Sequence, residues 1–143
     1  DPENKKIYDD NFEKGSLKLD ELYEDGKNRL SKLDIKPYIV FHDAYQYFER
    51  DFDVHSAAFL EEFAGQEPSV EYLAEVIDII NSENIKADFS EPQFSPKLLQ
   101  TLSDDYGIKT GELDPVGQEI SRDSYFKLIN KNIESFEKMF DKK

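Results

Sequence analysis

The sequence predicts an α/β fold: a three-layer sandwich around a four-stranded parallel sheet, preceded by a long helix. Three observations lead there. Short β-rich apolar runs alternate with amphipathic segments, the connections between them are short, and a highly charged helical stretch comes before the first run. Strand, helix, strand, helix with links this short implies parallel strands joined by right-handed crossovers, so helices cover both faces of the sheet.

The opening stretch, residues 1–34, carries Pro2 in a first helical turn. Ile7, Phe12, Leu19, Leu22, Tyr23, Leu30 and Leu33 follow at loosely helical spacing among many charges. Gly15 and Gly26 weaken this helix by up to about 1 kcal/mol each relative to alanine, which marks a kink or break there. Residues 35–143 form the α/β unit. Tyr38-Ile39-Val40-Phe41 is a β-rich run of the kind buried on both faces of a sheet. A helix is expected over Asp43 to Asp51 and a second strand over Val54 to Leu60. After a loop through Gly65 and Pro68, Ser69 caps a helix with Val70, Leu73, Val76, Ile77 and Ile80 on one face.

The third strand, Ile85 to Phe89, ends at Ser90-Glu91-Pro92. The helix after it has Pro96 in its first turn, an apolar stripe of Leu98, Leu99 and Leu102, and a stop at Gly107. Ile108 to Leu113 gives a weaker fourth strand. The last helix, Asp123 to Asp141, aligns Tyr125, Ile129, Ile133, Phe136 and Phe140 and is the clearest amphipathic segment. Two residues conflict with this scheme. Asp88 sits where a buried strand wants an apolar side chain, and Gly111 is a poor strand residue, so that edge is expected to be partly solvated or covered by another body.

Composition narrows the function classes. With 143 residues, 38% hydrophobic and 13% aromatic, the chain is one folding unit despite 35% charge. Eighteen basic residues against 32 acidic ones leave a formal charge of −14. Such a chain repels nucleic acid and anionic membrane surfaces and favours cations. No apolar run approaches the roughly 20 residues of a membrane helix, so no membrane insertion is expected. There is no cysteine, so any metal site must use imidazole and carboxylate.

In open parallel sheets ligands bind at the carboxyl ends of the strands. Here the first strand runs into His42-Asp43, the third into Glu91-Pro92 and the fourth into Asp114-Pro115. One imidazole and two or three carboxylates on one rim suit a borderline cation such as Zn²⁺ or Mn²⁺. The same residues have plain readings as well: Asp43 as a helix cap, Asp114-Pro115 as a loop. His55 falls at the start of the second strand, opposite the crevice, and reads as a surface histidine. Glu61-Glu62 reads as a solvated charge pair at the second strand's end.

Three ordered motifs carry a resemblance. Phe41-His42-Asp43-Ala44-Tyr45-Gln46-Tyr47-Phe48-Glu49 resembles the signature around the third metal ligand of ZnuA-type zinc-binding proteins, in the TroA-like family of ABC-transporter metal receptors. Ser90-Glu91-Pro92-Gln93-Phe94-Ser95-Pro96 and Leu113-Asp114-Pro115-Val116-Gly117 resemble that family's two later motifs in the same order. Asp1-Pro2-Glu3-Asn4 is similar to the start of its interlobe helix.

The resemblance implies a two-lobed solute-binding receptor that captures zinc, with manganese as the alternative, and hands it to an ABC-transporter membrane permease. It implies a place in the periplasm or on the extracellular face of a bacterial cell. By motif His42 and Asp114 are the zinc ligands of this carboxy-terminal lobe, while Glu91 and Asp43 support the rim. The family's first two histidine ligands belong to an amino-terminal lobe that this chain lacks, leaving half of a tetrahedral site. Ala87 stands where some zinc receptors have a disulfide cysteine. Exposed apolar surface where the other lobe would pack predicts self-association of the lobe.

Two other classes remain open. A metal-free structural or interaction lobe is one. A metal-assisted hydrolase or receiver-like phosphoryl acceptor is the other. The chain offers no glycine-rich phosphate loop, no serine in a nucleophile elbow and no strand-end lysine for it.

Overall fold

The structure, a computed structural model, describes residues 1–61, 68–95, 97–117 and 124–141. A short 3-10 turn at Pro2–Asn4 leads into α1 (Lys5–Leu30). Then follow β1 (Tyr38–His42), α2 (Gln46–Phe52), β2 (Ser56–Glu61), α3 (Val70–Ser82), β3 (Ala87–Ser90), α4 (Lys97–Tyr106), β4 (Lys109–Glu112) and α5 (Ser124–Phe140). The four strands form one sheet in the order β2-β1-β3-β4, and every neighbouring pair is parallel.

The two faces of β1 explain the three layers. Tyr38 and Val40 point to a cluster with Leu30, Phe52, Phe89, Ile133 and Phe136, beneath α1, α2 and α5. Ile39 and Phe41 point the other way, to Leu60, Val76, Ile80, Leu99 and Leu102 beneath α3 and α4. Period-two alternation sends successive side chains to opposite faces, so a run without polar residues is a strand covered on both sides. Phe136 is fully buried and meets the Phe89 ring at 4.8 Å and the Tyr38 ring at 5.3 Å. A side chain of this size contributes about 2–3 kcal/mol through burial.

Several local expectations are corrected by packing. The helix α1 runs unbroken through both glycines. A Cβ on Gly26 would lie 2.4 Å from Phe52 Cε1 and 2.8 Å from Ile133 Cδ1, so the glycine serves the close approach of α2 and α5 rather than a kink. The strand β2 starts at Ser56, not Val54. Asp53 takes a left-handed conformation, Val54 N–H bonds back to Glu49, and Glu49 Oε1 accepts from the Tyr38 hydroxyl and from Ser56 N–H. Likewise α2 begins at Gln46, leaving Asp43 in the turn before it.

Asp88 is corrected too. It is fully buried in β3, an interior strand, so it is not solvated. The exposed edge is β4, where Lys109, Thr110 and Glu112 are open to solvent. Gly111 is explained by packing, since a Cβ there would stand 2.8 Å from the Phe89 ring. Ser69 caps α3 as expected, its hydroxyl accepting from Tyr72 N–H at 3.1 Å. Gly65, Glu62, Pro96 and Asp123 lie outside the described residues.

On α1, Leu22 and Leu30 are buried, whereas Ile7, Tyr8, Phe12, Leu17 and Leu19 are exposed. The helix is held by its second half. Arg29 donates to both Glu137 carboxylate oxygens, at 2.8 and 2.7 Å, and to Asn130 at 2.9 Å, fixing α1 against α5.

Candidate metal centre

All four strands run the same way, so their carboxyl ends make one rim. Strand order sets the sequence of side chains along it: Glu61 ends β2, His42 ends β1, Glu91 follows β3 and Asp114 follows β4. The chain direction switches between β1 and β3, where such sheets open a crevice. His42 and Glu91 flank that switch.

They are in contact. Glu91 Oε1 lies 2.5 Å from His42 Nδ1 and also accepts from His42 backbone N–H at 3.3 Å. A carboxylate on Nδ1 selects the tautomer with its proton there and leaves Nε2 as a free lone-pair donor. Phe94 fixes the ring from the side, its centroid 5.5 Å away at 69°, while stacking on Phe41 at 4.8 Å. The His42 side chain is one-fifth exposed and that of Glu91 is fully buried. Burial raises the Glu91 pKa, and the bonds from His42 oppose this by favouring the ionised carboxylate.

Asp114 is fully buried and held from several sides. Its Oδ1 accepts from Gln93 Nε2 (2.8 Å), Val116 N–H (3.1 Å) and Gly117 N–H (2.8 Å). Its backbone N–H and C=O pair with the Asn132 side chain of α5, both at 2.9 Å. Burial works against its charge, but the donors from Gly117, Gln93 and Val116, with Lys131 nearby, hold its pKa below the usual carboxylate value. Gly117 adopts a positive φ of 72°, which closes this turn.

Three acceptors at the rim have no hydrogen-bond partner despite complete burial: Glu91 Oε2, Gln93 Oε1 and Asp114 Oδ2. Unpaired acceptor oxygens beside a histidine with a free Nε2 are the electrostatic setting that a cation relieves. Among the described residues no group of three or more His, Asp or Glu side chains closes a metal site.

Of the residues singled out by sequence, His42 and Glu91 are brought together, and Asp114 stands on the same rim with its own partners. Asp43 is exposed and accepts from Gln46 Nε2 at 2.5 Å. The solvated reading of Glu61 is corrected: it is buried, directly opposite His42 in the β1–β2 register. His55 lies outside β2 with its side chain three-quarters exposed, 3.8 Å from Asp53. Sequence reasoning missed Asn132 and Gln93 as supports of Asp114. Asn132 carried a weak signal, a polar residue beside Ile133 on the buried side of α5.

Comparison with known proteins identifies the family and supports the fold. A family model described as zinc-uptake complex component A, periplasmic (ZnuA), matches residues 1–139. The high-affinity zinc uptake system protein ZnuA of Brucella abortus is 39% identical over 120 residues, covering 84% of this chain and 36% of that protein. A ZnuA deletion mutant solved with zinc bound superposes with a TM-score of 0.80 at 26% identity, over all of this chain and 52% of that one. The protein FpvC of Pseudomonas aeruginosa, solved with Mn²⁺, gives a TM-score of 0.80 at 26% identity, covering 98% of this chain and 52% of that one. The chain thus spans between about a third and a half of the length of the relatives it matches. These relatives are named for metal uptake and binding, not for catalysis. By the family model over nearly its whole length, the chain belongs to the ZnuA family of zinc-uptake proteins.

Proposed function

We propose that this chain is the carboxy-terminal α/β lobe, with its linking helix, of a zinc receptor that delivers its cargo to the membrane permease of an ABC importer. In this reading His42 binds zinc through Nε2, Glu91 fixes and polarises the ring, and Asp114 offers Oδ2 as a carboxylate donor. The remaining ligands come from outside residues 1–143, in a partner lobe reached through α1. The exposed apolar residues of α1, Ile7, Tyr8 and Phe12 among them, are the surface that lobe covers, and in its absence they favour self-association. The capture takes place in the periplasm or at the outer cell surface.

The observation that carries the reading is the His42–Glu91 pair at the sheet's switch point, because a histidine held by a carboxylate on one nitrogen is built to ligate through the other. Zinc is favoured by the imidazole and by the relatives named for zinc uptake. Manganese is the second reading, favoured by the oxygen-rich rim and by the relative solved with Mn²⁺.

The test is competition of the whole receptor against a chromophoric chelator, with zinc and then manganese. Zinc affinity is expected to exceed that for manganese. His42→Ala is expected to lose more than the roughly tenfold to hundredfold typical of an outer-shell partner. Equal affinities of wild type and His42→Ala would overturn the assignment.

A further inference from the structure

The sheet ends at β4, and the outer edge of that strand carries open backbone groups. Lys109 N–H bonds to the Lys86 carbonyl and Leu113 N–H to that of Ser90, while the Gly111 carbonyl accepts from the Ser90 hydroxyl, so residues 109, 111 and 113 face β3. In a parallel strand the residues between them turn the other way. Thr110 and Glu112 therefore direct their N–H and C=O groups outward, and both residues are exposed. The edge does not protrude, however. The helix α5 covers one face of the sheet and α4 the other, and both overhang β4. Ser103 and Asp104 of α4 and Ser135 and Lys138 of α5 wall a groove of about 920 Å³ that has Thr110 and Glu112 on its floor. The edge of another sheet, flanked by helices of its own, would meet those walls. A single extended strand lies between them, and main-chain pairing along an open edge is a recurring way of binding one.

Charge selects the kind of strand. The whole chain has 32 acidic residues against 18 basic ones. The groove inverts that balance, with Lys109, Lys131 and Lys138 against Asp104 and Glu112. Lys131 engages Glu112 at 3.0 Å, and among the described residues neither Lys109 nor Lys138 forms an ion pair. We propose that this groove binds an acidic peptide segment of a partner protein, added to β4 as a further strand. Its backbone pairs with Thr110 and Glu112, and its carboxylates meet Lys109 and Lys138. The site is separate from the metal centre, since none of His42, Glu91 and Asp114 lines the groove.

Hydrogen exchange of the whole receptor, read at the amides of Thr110 and Glu112, tests it with two synthetic probes: a hexapeptide alternating valine with glutamate and one alternating valine with lysine. Both amides are expected to exchange freely in the protein alone and about tenfold more slowly, or slower still, with the glutamate peptide. The lysine peptide should leave them unchanged. Reversing both charges, Lys109→Glu with Lys138→Glu, is expected to switch the preference, so that the lysine peptide now protects. Thr110→Pro removes one outward N–H at an edge position, where proline is tolerated, and should abolish protection of Glu112. Slow exchange of the Phe89 amide in the interior strand β3 reports that each variant is folded. Unchanged exchange at both amides, equal protection by both peptides, or a preference that survives the charge reversal overturns the proposal. Protection without any peptide also overturns it, because the edge would then belong to the receptor's own chain or to a second copy.

Discussion

Glu91 Oε1 and His42 Nδ1 lie 2.5 Å apart, and the same carboxylate oxygen also takes the backbone N–H of His42. The acid that follows β3 therefore fixes both the strand end and the ring orientation of the residue that ends β1. The first prediction follows from the two roles. Glu91→Gln keeps an acceptor for Nδ1–H but removes the charge, and Glu91→Ala removes both. Zinc affinity of the whole receptor is expected to fall about tenfold in the first and toward a hundredfold in the second, with the fold retained by circular dichroism. If both variants bind like wild type, the carboxylate does not support a ligand.

Asp88 sets a pH dependence of stability. It is buried between Ile39 of β1 and Thr110 of β4, and burial, only partly offset by Thr110, raises its pKa from 3.8 to about 7. The folded chain thus holds this proton more tightly than the unfolded chain. Stability is highest below the unfolded pKa, falls as pH rises toward about 7, and stays low above it. At about 1.4 kcal/mol per unit the loss reaches about 4 kcal/mol. Urea unfolding at about pH 5 and about pH 8 should show Asp88→Asn gaining on wild type as pH rises. A wild-type-to-variant difference that is the same at both pH values would rule out a buried proton.

Gly26 and Gly15 give a matched pair on one helix. A methyl group at Gly15 meets nothing within 4 Å, so Gly15→Ala should stabilise by up to about 1 kcal/mol through helix propensity. At Gly26 the same gain is outweighed by overlap with Phe52 and Ile133, and a net loss of about 1–2 kcal/mol is expected. Thermal melts of the two variants should shift in opposite directions. Parallel shifts would mean that α1 is not seated as described.

If the proposed reading holds, with His42 and Asp114 as two donors where zinc wants four, residues 1–143 alone should bind zinc far more weakly than the whole receptor. Titration calorimetry compares them directly. Equal affinities would show that the site is complete within this chain.

Much of the fold was legible because period and burial agree. The unbroken apolar run of β1 and the Ile129, Ile133, Phe136 spacing of α5 each admit one reading, and both are core elements. Gly26 misled, since a glycine that permits close packing looks in sequence like one that breaks a helix. Asp88 was legible as a conflict but not in its resolution, which depends on β3 being interior to the sheet. At the rim, the strand-end residues could be named, but their neighbours could not. That Glu91 reaches His42 follows from β3 lying beside β1, a choice of strand order that no local pattern fixes.

The most direct measurement is anomalous diffraction at the zinc absorption edge from crystals of the whole receptor grown with zinc. A zinc peak is expected about 2.0–2.1 Å from His42 Nε2, with Nδ1 still bonded to Glu91. A zinc peak remote from His42, or one on Nδ1 with Glu91 displaced, would contradict it.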